Sequence, residues 1–176
     1  MSTIDELVTL VADVQRLPYA WPAPPTSESV RENGSGTCAG KHALLREELE
    51  GSGFAVNRLM VVGRLAPGLW PDLEEIADDL LEVHECLTVE TPWAGPVLVD
   101  VTWHPAAIAA GFRGTVDWMA REDMVCAVEP IQVYAVSDAT FRAQKELLRS
   151  RLYSSADRAR RDLVLAELAR RAALLR

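Results

Sequence analysis

Residues 34–38 read Gly-Ser-Gly-Thr-Cys and run directly into Ala39-Gly40-Lys41-His42-Ala43-Leu44-Leu45. This stretch constrains the chain more than any other. The glycines at 34 and 36 let the backbone turn sharply, and Thr37 is a good helix N-cap. A helix over residues 38–50 follows, ending at Gly51 or Gly53, so Cys38 falls in its first turn. There the positive end of the helix dipole favours the thiolate, the form of cysteine that attacks carbonyls. The first-turn N–H groups have no helical acceptor and are available to a developing oxyanion.

A cysteine nucleophile needs a base, and the base an orienting group. Residues 82–103 carry both types. Two β-rich runs, one holding His84 and Cys86 and the other Asp100, flank Thr91-Pro92-Trp93-Ala94-Gly95-Pro96 and read as a hairpin. Pairing symmetric about Pro92 sets Glu90 opposite Ala94, Cys86 opposite Leu98 and His84 opposite Asp100. Directly opposed residues have Cβ atoms about 4.5–5.5 Å apart on one face, close enough for a carboxylate to hold one imidazole nitrogen. An aspartate among valines also asks for a polar partner.

Gly36-Thr37-Cys38-Ala39-Gly40, Val83-His84-Glu85 and Val99-Asp100-Val101-Thr102-Trp103, in that order, resemble the nucleophile helix, histidine strand and aspartate strand of the transglutaminase-like superfamily. The resemblance covers roughly residues 30–112. It implies a papain-like α+β fold, a Cys38-His84-Asp100 triad, acyl transfer or hydrolysis through a thioester, and no organic cofactor. Glu85-Cys86 stand where that family commonly has an aromatic residue after its histidine. The substrate class so implied is a peptide, amide or small-molecule acyl compound; a turnover-free binding or assembly module is the alternative, and a peptide-bond protease a third.

A length of 176 residues suits one domain with a real core. We expect a transglutaminase-like unit over 1–136 and a helical extension over 137–176 packed on it. No apolar run approaches the roughly 20 residues of a membrane span, and the first residues lack the basic segment of a secretory signal. Three cysteines, an odd and dispersed set, argue for a reducing compartment, with the cytoplasm as default. The net charge of −8 is uneven, since residues 141–176 hold ten Lys/Arg against four Asp/Glu. The acidic remainder argues against nucleic acid as a partner, and the basic tail reads as a solvated helix face.

Along the chain, residues 3–16 carry apolar positions at helical spacing. Four prolines over 17–25 force an extended strap, whose Tyr19 and Trp21 either anchor it or line a cleft. Residues 27–33 form a polar lead-in, with Arg31 or Asn33 a possible oxyanion donor. Strands are expected over 54–63 and, broken near Pro130, over 124–136. Short helices begin at Pro71 and Pro105. Beyond Ser137, with neither Gly nor Pro, the chain is helical and divided at Ser154-Ser155. Its stripe of Leu165, Leu168, Ala172 and Leu175 packs on its own domain or forms a homodimer seam. Cys86 and Cys126 read as core, and Trp103 and Trp118 as packing residues. His42 reads as a polar residue on the helix surface, or else as an alternative base or substrate contact. A zinc site from Cys38, His84, Cys86 and His104 has no supporting spacing.

Overall fold

A computed structural model describes residues 3–65, 71–77 and 79–175. The helices are α1 (Ile4–Gln15), α2 (Ser27–Asn33), α3 (Cys38–Gly51), α4 (Pro71–Ala77), α5 (Pro105–Ala109), α6 (Asp138–Leu152) and α7 (Ser155–Ala173). The strands are β1 (Val56–Arg64), β2 (Leu81–Thr91), β3 (Gly95–Val99) and β4 (Glu129–Ala135). They form one antiparallel sheet in the order β3-β2-β1-β4. The fold class is α+β. Asp78, expected within the fourth helix, lies outside the described residues.

Helix α3 is the central helical element. Thr37 Oγ1 accepts the Gly40 N–H, which caps the helix and starts it at Cys38. Leu45 and Leu49 are completely buried and pack with Leu7 and Val11 of α1 and with Leu87 and Val89 of β2. Each such side chain contributes about 1.5–3 kcal/mol on leaving water. Two polar groups of α3 are as buried as its leucines, Lys41 and His42. Lys41 Nζ donates to the carbonyl oxygens of Gln15, Leu17 and Thr102, at 3.2, 2.8 and 3.1 Å. One ammonium thus ties α3 to the end of α1 and to the segment after β3.

The hairpin register differs from the symmetric expectation. Glu90 pairs with Pro96, Thr88 with Leu98 and Leu87 with Val99. The turn is centred one residue later because Thr91 pairs with Gly95, which takes a positive φ of 74°. Thr91 Oγ1 closes that turn by accepting the Ala94 N–H and donating to the Gly95 carbonyl. His84 therefore does not oppose Asp100. Strand β3 stops at Val99, and continuing its register would set Asp100 beside Cys86, a diagonal step from His84.

Strand β4 occupies the sheet edge and includes Pro130, where the expected break becomes a bulge. The β1 register shifts between Val62 and Gly63, and Pro130 sits opposite Gly63. A Cβ on Gly63 would lie 2.4 Å from the Glu129 carbonyl oxygen, so only glycine permits this approach. Residues 124–128 remain irregular; the Cys126 and Val128 carbonyls accept from Arg113 Nε instead of joining a ladder.

Helices α6 and α7 divide at Ser154, whose side chain and Asp157 form a reciprocal capping box. Leu165, Leu168 and Ala172 are buried in this chain's own core with Leu73 and Ala77 of α4. The basic tail is only in part a solvated face. Arg161 pairs in bidentate fashion with buried Glu82 of β2, and Lys145 reaches buried Glu85. Among the described residues no helix is long and apolar enough to cross a membrane.

Candidate active site

A cavity of about 380 Å³ opens at the N-terminus of α3, with Cys38 and His84 in its lining. Cys38 is half-buried, whereas His84 and Asp100 are buried. The proline-rich strap reaches the cavity as well as anchoring itself. Tyr19 bridges Gly36 in the loop before α3, and its ring lies 4.7 Å from that of Trp103. Tyr19, Trp21 and Trp103 all line the cavity. Trp118 is a packing residue, its indole N–H donating to the Glu122 carbonyl.

Asp100 is the most heavily bonded group of the site. Its Oδ2 accepts from His84 Nε2 at 2.7 Å and from the Ala127 N–H at 2.8 Å. Its Oδ1 accepts from the Thr102 N–H at 3.0 Å and the Thr102 hydroxyl at 2.6 Å. Burial alone would raise its pKa, but the His84 charge and these donors carry it far below the usual carboxylate range. The reverse holds for His84. Burial pulls its pKa down, and the Asp100 charge and hydrogen bond more than offset that, leaving it well above the ordinary histidine value. Because a carboxylate only accepts, His84 Nε2 carries the proton of this bond, and a further hydrogen bond joins the His84 ring to Cys126.

His42 is neither on the surface nor placed as a base. It has no exposure. Its Nδ1 donates to the Cys38 carbonyl at 2.8 Å, and its Nε2 accepts the Val101 N–H at 3.1 Å. Those two bonds select one neutral tautomer. Burial, partly offset by Asp100, lowers its pKa to about 4. The imidazole is a strut between the first turn of α3 and the segment that holds Asp100. The i+4 spacing from Cys38 signalled contact with that turn; only the packing of α3 on residues 100–102 shows what lies on its other side.

Cys126 is the residue sequence reading missed. It is buried as expected, yet its sulfur lies within 4.8 Å of ligand atoms of both His84 and Asp100. The Cys86 thiol donates to it, and although burial opposes ionisation, that bond and His84 lower the Cys126 pKa to about 6. No spacing from position 84 or 100 signals it, because the irregular segment after Met124 brings it in. Among the described residues His84, Asp100 and Cys126 are the group close enough to share a metal ion, with Cys38 and His104 outside it. His104 instead caps α5, its Nδ1 accepting the Ala106 N–H. Arg31 pairs with Glu47 and Glu48, and Asn33 donates to the Ser29 carbonyl, so both expected oxyanion donors are engaged elsewhere.

No family model matches the sequence, and no curated protein matches it. Part of the chain is similar to a solved enzyme, the arylamine N-acetyl transferase of M. smegmatis. The identity is 28% over 56% of this chain, with a TM-score of 0.40. The match spans 39% of that enzyme's length, so the likeness is local.

Proposed function

We propose that this protein is a cysteine-dependent acyl-transfer enzyme that works through a thioester on Cys38. The observation that carries the reading is His84 held by Asp100 at 2.7 Å in the cavity that Cys38 lines from a helix N-terminus. In this reading residues 1–136 form the transglutaminase-like unit and residues 137–176 the extension that completes the cavity wall. Cys38 Sγ attacks an amide or ester carbonyl as the thiolate, while the proton rests on the His84 imidazolium that Asp100 stabilises. The N–H groups of Cys38 and Ala39, which precede the Gly40 N–H that Thr37 caps, receive the oxyanion. His84 returns the proton to the leaving group, and the acyl-cysteine remains. Water as the acceptor gives hydrolysis and an amine gives transfer; in both, His84 removes the acceptor's proton.

The test is the pH dependence of iodoacetamide alkylation, with the labelled cysteine identified by peptide mapping. The native protein should label at Cys38 with an apparent pKa well below the free-thiol value of about 8.5. His84→Ala should return that pKa to the free-thiol range, and Cys38→Ser should abolish the fast label. A fast label on Cys126 would reassign the nucleophile. Slow labelling of Cys38, unchanged by His84→Ala, would overturn the enzyme reading in favour of a binding module.

A further inference from the structure

One wall of the cavity carries more positive charge than its own chain neutralises. Phe141, Lys145 and Arg149 lie along one ridge of α6 at i, i+4 spacing, pack against β2 and line the cavity. Two buried carboxylates of β2 each meet two cations. Glu85 is held by Arg58 Nη2 at 2.7 Å and Lys145 Nζ at 3.2 Å. Glu82 is held by the Arg161 guanidinium through two bonds, with Arg149 Nη2 a further 3.6 Å away. Glu85 cancels one cation of its pair, so that cluster keeps about one positive charge, whereas Glu146 beside Arg149 and Asp162 beside Arg161 balance the cations around Glu82. Excess charge in a partly desolvated wall is costly unless something compensates it.

Arg149, though paired in charge, keeps an unsatisfied donor. Its Nη1 reaches Glu146 at 2.9 Å, while its Nε is buried without a hydrogen-bond partner. Among the described residues it is the one buried side-chain nitrogen or oxygen in that position. Arg142, exposed on the next turn of α6, adds another cation to the lining. A guanidinium with a free N–H and a neighbouring ammonium form the donor arrangement that an oxyanion fills.

We propose that the α6 wall, through Lys145 and Arg149, is a subsite for a carboxylate or phosphate group on the molecule that reacts at Cys38. This rests on Cys38 as the nucleophile and adds the charge of its substrate. The surplus is local: the chain as a whole carries −8 and would repel an anion.

The test compares iodoacetate with iodoacetamide, an anionic and a neutral reagent of nearly the same shape, at Cys38. The native protein should prefer iodoacetate more than a free thiol does at the same pH. Lys145→Gln and Arg149→Gln should each lower that preference, taken as the ratio to the same variant's iodoacetamide rate, several-fold, and together by about tenfold. Circular dichroism and the unfolding midpoint of each variant report that it is folded. Phenylacetate or phenyl phosphate should protect Cys38 where benzyl alcohol does not, and the better protector identifies the oxyanion. A native preference no greater than that of the free thiol, or one insensitive to both substitutions, overturns the subsite. Failure of both reagents at Cys38 removes the nucleophile instead. Calorimetric titration with the two aromatic anions then decides the subsite separately, with binding weakened by Arg149→Gln in its favour and absence of binding to native protein against it.

Discussion

At the scale of single residues, two histidines in one site are pushed in opposite directions. His84 is raised by Asp100, so its contribution to stability is present below the unfolded value of about 6.5 and is lost as pH rises through the higher folded value. His42 is lowered to about 4, so the folded state binds fewer protons than the unfolded chain between pH 6.5 and 4. Its contribution is therefore complete above about 6.5 and is lost as pH falls toward 4, a change of about 3 kcal/mol at 1.36 kcal/mol per unit. We expect His42→Gln to be less stable than the native protein at pH 8, with the gap closing by that amount near pH 4. Denaturant titrations at several pH values measure this. A gap independent of pH would mean that His42 is not held neutral by its two backbone partners.

At the scale of elements, the glycine loop before α3 is seated by close packing against α2. A Cβ on Gly36 would lie 2.5 Å from Val30 Cγ2, and Val30 is completely buried. The backbone of Gly36 is also committed, since its N–H donates to the Pro18 carbonyl and its carbonyl accepts the Ala20 N–H. Gly36→Ala should therefore cost about 1–3 kcal/mol by overpacking, read as a shift in denaturant midpoint. Because the clash is with one methyl group, Val30→Ala and Gly36→Ala should couple. The double variant should be more stable than the sum of the single losses predicts. Strict additivity would place the strain elsewhere in the loop.

At the scale of the whole molecule, the acidic body and basic tail meet across the site. Arg161 of α7 reaches over the cavity to Glu82, and its guanidinium lies 5.0 Å from the Trp21 ring of the strap. Arg171 pairs with Asp72, Arg160 with Asp79, and Arg46 of α3 with Asp138 of α6. Most of these pairs are exposed and contribute little each, but Glu82–Arg161 is buried. Arg161→Met should destabilise the protein by about 3–5 kcal/mol because it leaves Glu82 without its main partner. Adding Glu82→Gln should recover most of that loss, as thermal unfolding of the two variants would show. No recovery would mean that the arginine acts through its packing on Trp21 instead of its charge.

What the sequence determined by itself is the local part of this protein. The helix begins at Cys38 because Thr37 caps it; the break at Ser154 and the strap of prolines follow from equally short-range preferences. The pairing of His84 with Asp100 was legible as an association but not as a register, because Thr91 and Gly95 close the turn one residue later than symmetry suggests. The residues that complete the site were decided by tertiary structure alone. Cys126 arrives on an irregular segment, the Lys41 ammonium is caged by carbonyls from two distant stretches, and His42 is buried because α3 packs on residues 100–102. The basic face of α6 and α7 turns partly inward toward Glu82 and Glu85. Burial and long-range hydrogen bonding set those roles, and neither is a property of the residues near them in the chain.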